Sequence, residues 1–365
     1  MRTALSIAAP LAFLASSTRG NVVTLPFHDE HGHTVLLIDG QLFSFLVDSG
    51  SARFFVVHGD WFERRYGPGS CEKHKMICYF CTAEAPCDDI ETRQKFTVRY
   101  DGADELYEYV EHTGTLHLHR KTVKVTFGLV VRHVGADLPE TILGLSFGRP
   151  GILKTLLQQL KDSNVIGALS FSVLARDGKT GDFGKVILGD SERKSEDLVH
   201  LHLTPSPGER HLHVPIEIMR LAGGPSLSGS ANLWALVDTG NSFIEMPTTL
   251  FDALVEIVRD SIRSTSGRKL IWYDDKQLKI RPSHVKHLPS IVYSLLGKGG
   301  SIVDIKVSPE HYLGPCTTTE CMLYLYVNDQ RVIALGQPFF RAYYAHVDLE
   351  KESIAVARRI RAYHI

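Results

Sequence analysis

The 365-residue chain has 40 basic against 41 acidic residues, 44% hydrophobic and 22% charged content, the make-up of an ordinary globular protein rather than a disordered one. That length exceeds one comfortable core and suggests two domains. A net charge near zero, with no basic run long enough to follow a phosphate backbone, argues against nucleic acid as a partner.

In chain order, residues 1–20 read as a secretory signal: Arg2 gives a short basic start, ALSIAAPLAFLA an apolar stretch and SSTRG small residues for cleavage. That stretch is too short to span a bilayer, and no later segment reaches the apolar length needed. No Asn-x-Ser/Thr sequon occurs. Short runs rich in β-branched and aromatic residues follow, broken by Gly, Pro, Asp and Lys. HTVLLID, FSFLV, KFTVRY, TGTLHLH and TVKVTFGLVV precede the middle of the chain, and HVPIEIMRL, ANLWALV, MLYLYV and YAHVDL follow it, which is an all-β pattern. Helical spacing is expected in GILKTLLQQLKD, with Ile152, Leu153, Leu156, Leu157 and Leu160 on one face, and in TTLFDALVEIVRDSI, with Leu250, Leu254, Ile257 and Val258. Charge, Ser and Pro replace the strand pattern in GDSERKSEDLVHLHLTPSPGER, which places a join near residue 195 and gives an N-terminal lobe of 21–195 and a C-terminal lobe of 196–365.

Six cysteines suit an oxidising compartment. Cys71, Cys78, Cys81 and Cys87 form a C-x6-C-x2-C-x5-C cluster that predicts two internal disulfides in any of three pairings. Cys316 and Cys321 predict a third, local bridge. A zinc site on Cys78 and Cys81 would want a second well-spaced pair, so the disulfide reading is preferred and no metal is expected.

FLVDSGS at 45–51 turns an apolar run into an acid, Asp48, and a tight corner at Ser49-Gly50. The same grammar returns in ALVDTGNS at 235–242, where Asp238 is followed by Thr239 and Gly240. Each is followed by an apolar-Leu-Gly step, TILGLSFGRP 96 residues on (48 to 144) and IALGQPFFRA 98 residues on (238 to 336). Matched offsets imply two related halves, each offering one carboxylate at a strand end, with a binding cleft between them. If the turns meet, two like charges about 3 Å apart cannot both stay ionised, so the pair holds one proton and is acid and base at once. The hydroxyls of Ser49 and Thr239 are expected to fix the carboxylates by hydrogen bonds, and the apolar residues behind them to strengthen the effect by desolvation. A water between the acids is then deprotonated by one while the other protonates an amide carbonyl. No metal or cofactor is needed.

These residues resemble the pepsin-like aspartic proteases over nearly the whole chain. ALGQPFFRAYYAHVDLEKESIAVA resembles that family's C-terminal strand block, and LPSIVYSLL, VSPEHYL and Cys316 run in family order. The resemblance implies an all-β, bilobal acid-protease fold, with two barrel-like lobes about a pseudo-two-fold axis and few short helices. It implies endopeptidase activity at acidic pH, a peptide or protein substrate, a monomer, and a secreted or acidic endolysosomal or vacuolar destination. It assigns Asp48 and Asp238 as the dyad and Ser51 as a hydrogen-bonding support, with Ser242 at the related place after Gly240. Tyr100 in FTVRYDG, with Gly102 beyond it, matches the flap that closes over bound peptide.

The sequence departs from the family pattern in places. Phe55 stands where a Trp usually supports the flap tyrosine and has no indole N–H to donate. Asn241 replaces the usual Thr or Ser, Gln337 a common Asp, and DGADELYE the usual Gly-Thr/Ser flap tip. Only residues 21 to 47 separate the signal from Asp48, so no separable prosegment is expected; the N-terminal mass of the purified chain at acidic pH tests this. Two other functions compete with the endopeptidase: a peptide- or protein-binding module that keeps the cleft without turnover, favoured by the altered flap, and a glycosidase, which would not require twin strand-turn motifs.

Overall fold

The computed structural model describes residues 21–100, 105–118, 121–176, 181–193, 197–204, 211–222, 224, 226–227, 233–274 less 267–270, 277–328 and 330–359. The proposed signal, Gly102 and the join near 195 lie outside them. Strands dominate and fall into four sheets. An eight-stranded sheet uses residues from His33 to Gly144, and the seven-stranded and four-stranded sheets use residues from His213 to Leu335. A six-stranded antiparallel sheet joins the halves, with three strands from each side of residue 195. Its central pairing sets Ser170–Ala175 against Tyr343–Asp348.

Alternation explains how the strands bury one face. In Gln41–Asp48 the side chains of Phe43, Phe45 and Val47 point inward and are fully buried, while Leu42 remains exposed. Phe45 packs on Phe54, which meets Phe127 edge-on, so this lobe closes over an aromatic core. Leu233–Val237 repeats the pattern with Leu233, Ala235 and Val237 inward.

The matched offsets have a structural cause. Gln41–Asp48 runs parallel to Ile142–Gly144, with Asp48 opposite Gly144. Ile142–Gly144 in turn pairs antiparallel with Phe54–His58, the strand reached after the Asp48 turn. In the second half, Leu233–Val237 runs parallel to Val332–Leu335, which pairs antiparallel with Ile244–Pro247. Each apolar-Leu-Gly strand is thus threaded between the two strands that flank an acid turn. The threading explains both glycines. A Cβ on Gly144 would lie 2.4 Å from the Arg53 backbone nitrogen and oxygen, and one on Gly336 would lie 2.2 Å from the Phe243 carbonyl oxygen.

Leu156–Asp162 and Thr248–Ser266 are helices. The first begins later than its apolar spacing suggests, because the Thr155 hydroxyl accepts the Gln158 N–H and caps the helix there, leaving Ile152 and Leu153 ahead of it. In the second, Leu250, Leu254, Val258 and Ile262 form the buried stripe. The disulfides are Cys71–Cys78, Cys81–Cys87 and Cys316–Cys321. Among the described residues, no helix is long and apolar enough to cross a membrane.

Candidate active site

Asp48 and Asp238 end corresponding strands, and the parallel partner of each strand holds the turn in place. The Asp48 carbonyl accepts the Leu145 N–H at 2.8 Å, and the Asp238 N–H donates to the Leu335 carbonyl at 3.3 Å. Both turns therefore point the same way with respect to their sheets, and they meet where the halves touch.

The two turns are locked by four crossed hydrogen bonds. The Ser49 hydroxyl donates to the Val237 carbonyl at 2.8 Å and accepts the Thr239 N–H at 2.9 Å. The Thr239 hydroxyl donates to the Val47 carbonyl at 2.6 Å and accepts the Ser49 N–H at 2.9 Å. Both side chains are fully buried. The expectation that these hydroxyls hold the carboxylates needs correction. Each is consumed by the opposite backbone, whose strand-end N–H and C=O would otherwise be buried without partners.

Backbone N–H groups hold the acids instead. Asp48 Oδ1 accepts from Gly50 at 2.8 Å and from Ser51 at 3.1 Å. Asp238 Oδ1 accepts from Gly240 at 2.9 Å and from Gly50 at 3.2 Å, so the Gly50 N–H serves both acids. The two Oδ1 atoms converge on that one N–H, which brings the carboxyls side by side. Burial, then the charge of Asp238, pushes Asp48 well above the ordinary carboxylate range. Burial also raises Asp238, against the pull of the Asp48 hydrogen bond and of the Gly240 and Gly50 N–H groups. The pair retains one proton to higher pH than a free carboxyl would. A Cβ on Gly50 would sit 2.6 Å from Asp238 Oδ2, and one on Gly240 2.8 Å from Asp48 Oδ1, so only glycine lets the turns close.

Residues 38–359 match the family model of the eukaryotic aspartyl proteases. The chain belongs to that family. Gastricsin of Cavia porcellus is 25% identical over 334 residues, covering 87% of this chain and 77% of the gastricsin. A probable vacuolar protease A of Arthroderma benhamiae is 23% identical over 361 residues, covering 91% and 83%. A renin of Echis ocellatus is 25% identical over 221 residues, covering 60% and 53%.

For an aspartyl protease of this family, the surroundings of the two acids are unequal. Ser51 contributes its N–H to Asp48, but its hydroxyl lies 3.0 Å from the Tyr100 hydroxyl and accepts the Arg53 N–H at 3.2 Å. Ser242 does not reach Asp238. Its hydroxyl lies 2.9 Å from His31 Nδ1, because the Asn241 side chain accepts the Phe243 N–H and tightens the turn away from the acid.

Tyr100 ends the strand Lys95–Tyr100, paired with Glu105–Leu118, and packs edge-on against Tyr107 at 5.6 Å between ring centres. Tyr107 in turn packs on Phe55. Phe55 thus keeps a packing role, and the Tyr100 hydroxyl meets the Ser51 hydroxyl. Burial, then the Asp48 charge, raises the Tyr100 phenol and keeps it protonated. Tyr100→Phe is expected to lower kcat/KM on peptides by roughly tenfold, the cost of one hydrogen bond to a group beside a charge. An unchanged kcat/KM would remove Tyr100 from the site.

Near the dyad, His211 went unread in the sequence, and Gln337 was read there only as a departure from the family pattern. His211 Nδ1 lies 2.8 Å from the Gly50 carbonyl, which can only accept, so Nδ1 carries the hydrogen. The Gln337 amide donates to the Thr239 carbonyl at 2.8 Å and to the His31 carbonyl at 3.1 Å, tying the second turn to the opening strands where the family commonly has Asp. No local motif marks His211, and both residues act across long sequence separations.

Proposed function

We propose that the chain is an aspartic-type endopeptidase that cleaves extended peptides at acidic pH, with Asp48 and Asp238 as the dyad. The observation that carries this reading is the single Gly50 N–H shared by both carboxyls, which brings the two acids together at one site. In the reaction, the ionised carboxyl takes a proton from water as its oxygen bonds to the amide carbon, and the protonated carboxyl gives its proton to the carbonyl oxygen. Collapse of that tetrahedral diol breaks the C–N bond. The carboxyl that took the water proton delivers it to the leaving amine, while the other carboxyl takes a proton back from one diol hydroxyl as that oxygen becomes the carbonyl of the new acid, which restores the singly protonated pair. Ser49 and Thr239 act as positioning residues, holding the two turns together through the backbone.

The name vacuolar protease A and the proposed N-terminal signal support a secreted or acidic vacuolar setting. We take the working form to be a monomer with a peptide or protein substrate and no nucleic-acid partner. The test is to incubate the purified chain with a denatured protein across a pH series, with and without a statine-containing peptide that mimics the diol. Acid-dependent cleavage blocked by the statine peptide is expected. Binding of the statine peptide without cleavage at any pH would replace this reading with the peptide-binding module.

A further inference from the structure

Away from the dyad lies a buried chain of hydrogen bonds that the reaction does not use. Its centre is His112, buried on the strand Glu105–Leu118 with its ring edge-on to Tyr79 and Phe127. Arg93 Nη1 donates to His112 Nδ1 at 3.0 Å. A guanidinium can only donate, so Nδ1 is bare and the ring hydrogen sits on Nε2. Nε2 then donates to the Tyr79 hydroxyl at 3.0 Å, and that hydroxyl donates to Asp39 Oδ2 at 2.8 Å. The chain closes only when the imidazole is neutral.

The same guanidinium holds a whole segment. Nη1 also donates to the Glu111 carbonyl at 3.0 Å, and Nη2 to the Pro86 carbonyl at 3.1 Å and to Asp89 Oδ1 at 2.6 Å. Nε donates to Asp89 Oδ1 at 2.9 Å. The segment so tied carries the Cys81–Cys87 bridge and runs directly into Lys95–Tyr100. That strand brings the Tyr100 hydroxyl to Ser51, beside the dyad. Arg93 therefore clamps the root of the Tyr100 strand onto Glu105–Leu118.

Acid works against this clamp. A proton on Nδ1 would set N–H against N–H and place two cations in contact. The charged and titratable groups facing His112 are Arg93 and Asp89 from the clamped segment, Asp39 from the turn after His33–Ile38, Tyr79, and His58 from the end of Phe54–His58. Burial, then Arg93, pushes the imidazole down to about 4, with His58 acting the same way and Asp39 and Asp89 opposing. An imidazole released to water titrates near ~6.5. Between those values the opened segment takes up a proton that the closed one refuses. Opening is thus favoured about tenfold for each pH unit as pH falls, and gains nothing further below the lower value.

We propose that Arg93 and His112 form an acid-released latch that holds the root of the Tyr100 strand near neutral pH and frees it in acid. The latch goes beyond the endopeptidase reading and can be measured without cleavage.

The test is hydrogen–deuterium exchange of the full chain, with exchange times scaled to the intrinsic amide rate at each pH. In the wild type, protection of residues 86–100 is expected to fall about a hundredfold from about pH 6.5 to about pH 4. In His112→Asn the side-chain oxygen stands near the place of Nδ1, accepts from Arg93 and takes no proton, so protection should stay high at both pH values. In Arg93→Gln the clamp is gone, and protection at about pH 6.5 should already match the acid level of the wild type.

Equal wild-type protection at the two pH values, or the same fall in His112→Asn as in the wild type, overturns the latch. Should His112→Asn fail to fold, Arg93→Gln decides. Protection at about pH 6.5 as high as in the wild type overturns the latch, and protection already at the acid level upholds it.

Discussion

Asp238→Asn is expected to lower kcat/KM on peptides by at least about 10³-fold, because it removes one member of an acid-base pair whose proton transfers have no substitute. The amide keeps an oxygen that can accept from Gly240 and Gly50, so the turn geometry should survive. Stability should move the other way. Burial raises both carboxyls, so the folded chain holds protons that the unfolded chain has released between the ordinary carboxylate pKa and the raised one. The wild type therefore has its full stability from this pair below the ordinary carboxylate pKa and loses it as pH rises through the raised value. Asp238→Asn removes one buried charge and should raise Tm relative to wild type by a few degrees at about pH 7, with no gain at about pH 3. Retained cleavage would end the dyad assignment, and a Tm difference equal at both pH values would end the electrostatic account.

Thr239→Val is expected to be the most destabilising conservative change at the site. It is nearly isosteric, but it leaves the Ser49 N–H and the Val47 carbonyl without their partner in a fully buried place. Each orphaned group costs about 1–3 kcal/mol, so the pair should cost about 2–6 kcal/mol and several degrees of Tm. The acids should also separate, because this bond and its Ser49 counterpart are what pin the two turns together. Thr239→Ser restores a hydroxyl with the same reach and should recover most of both losses. Thermal denaturation and peptide hydrolysis on the three chains measure this. A Val variant as stable and active as wild type would show that the crossed bonds are dispensable.

Much of the site was legible because its grammar is local. Asp48 and Asp238 each close an alternating strand with a turn tripeptide, and the repetition at matched offsets named them as a pair. Ser51 and Ser242 were read by position in the motif; Ser51 does support Asp48, through its N–H rather than its hydroxyl, whereas Ser242 does not reach Asp238. An Asx turn at Asn241 steers Ser242 to His31, and the Ser51 hydroxyl meets Tyr100. The cysteine cluster allowed three pairings until the strand Cys78–Tyr79 docked beside Phe54–His58 and set Cys78 against Cys71.

By itself, the sequence determined that the chain is mostly strand, that it is built from two related halves, and that each half ends a buried strand in an acid. Strand alternation, turn chemistry and glycine placement act over a few residues and need no distant partner. Only the tertiary structure decided what each hydroxyl bonds and why Gly144 and Gly336 must lack side chains. Those outcomes depend on groups such as Ser49 and Thr239, 190 residues apart, whose meeting is set by the packing of whole sheets.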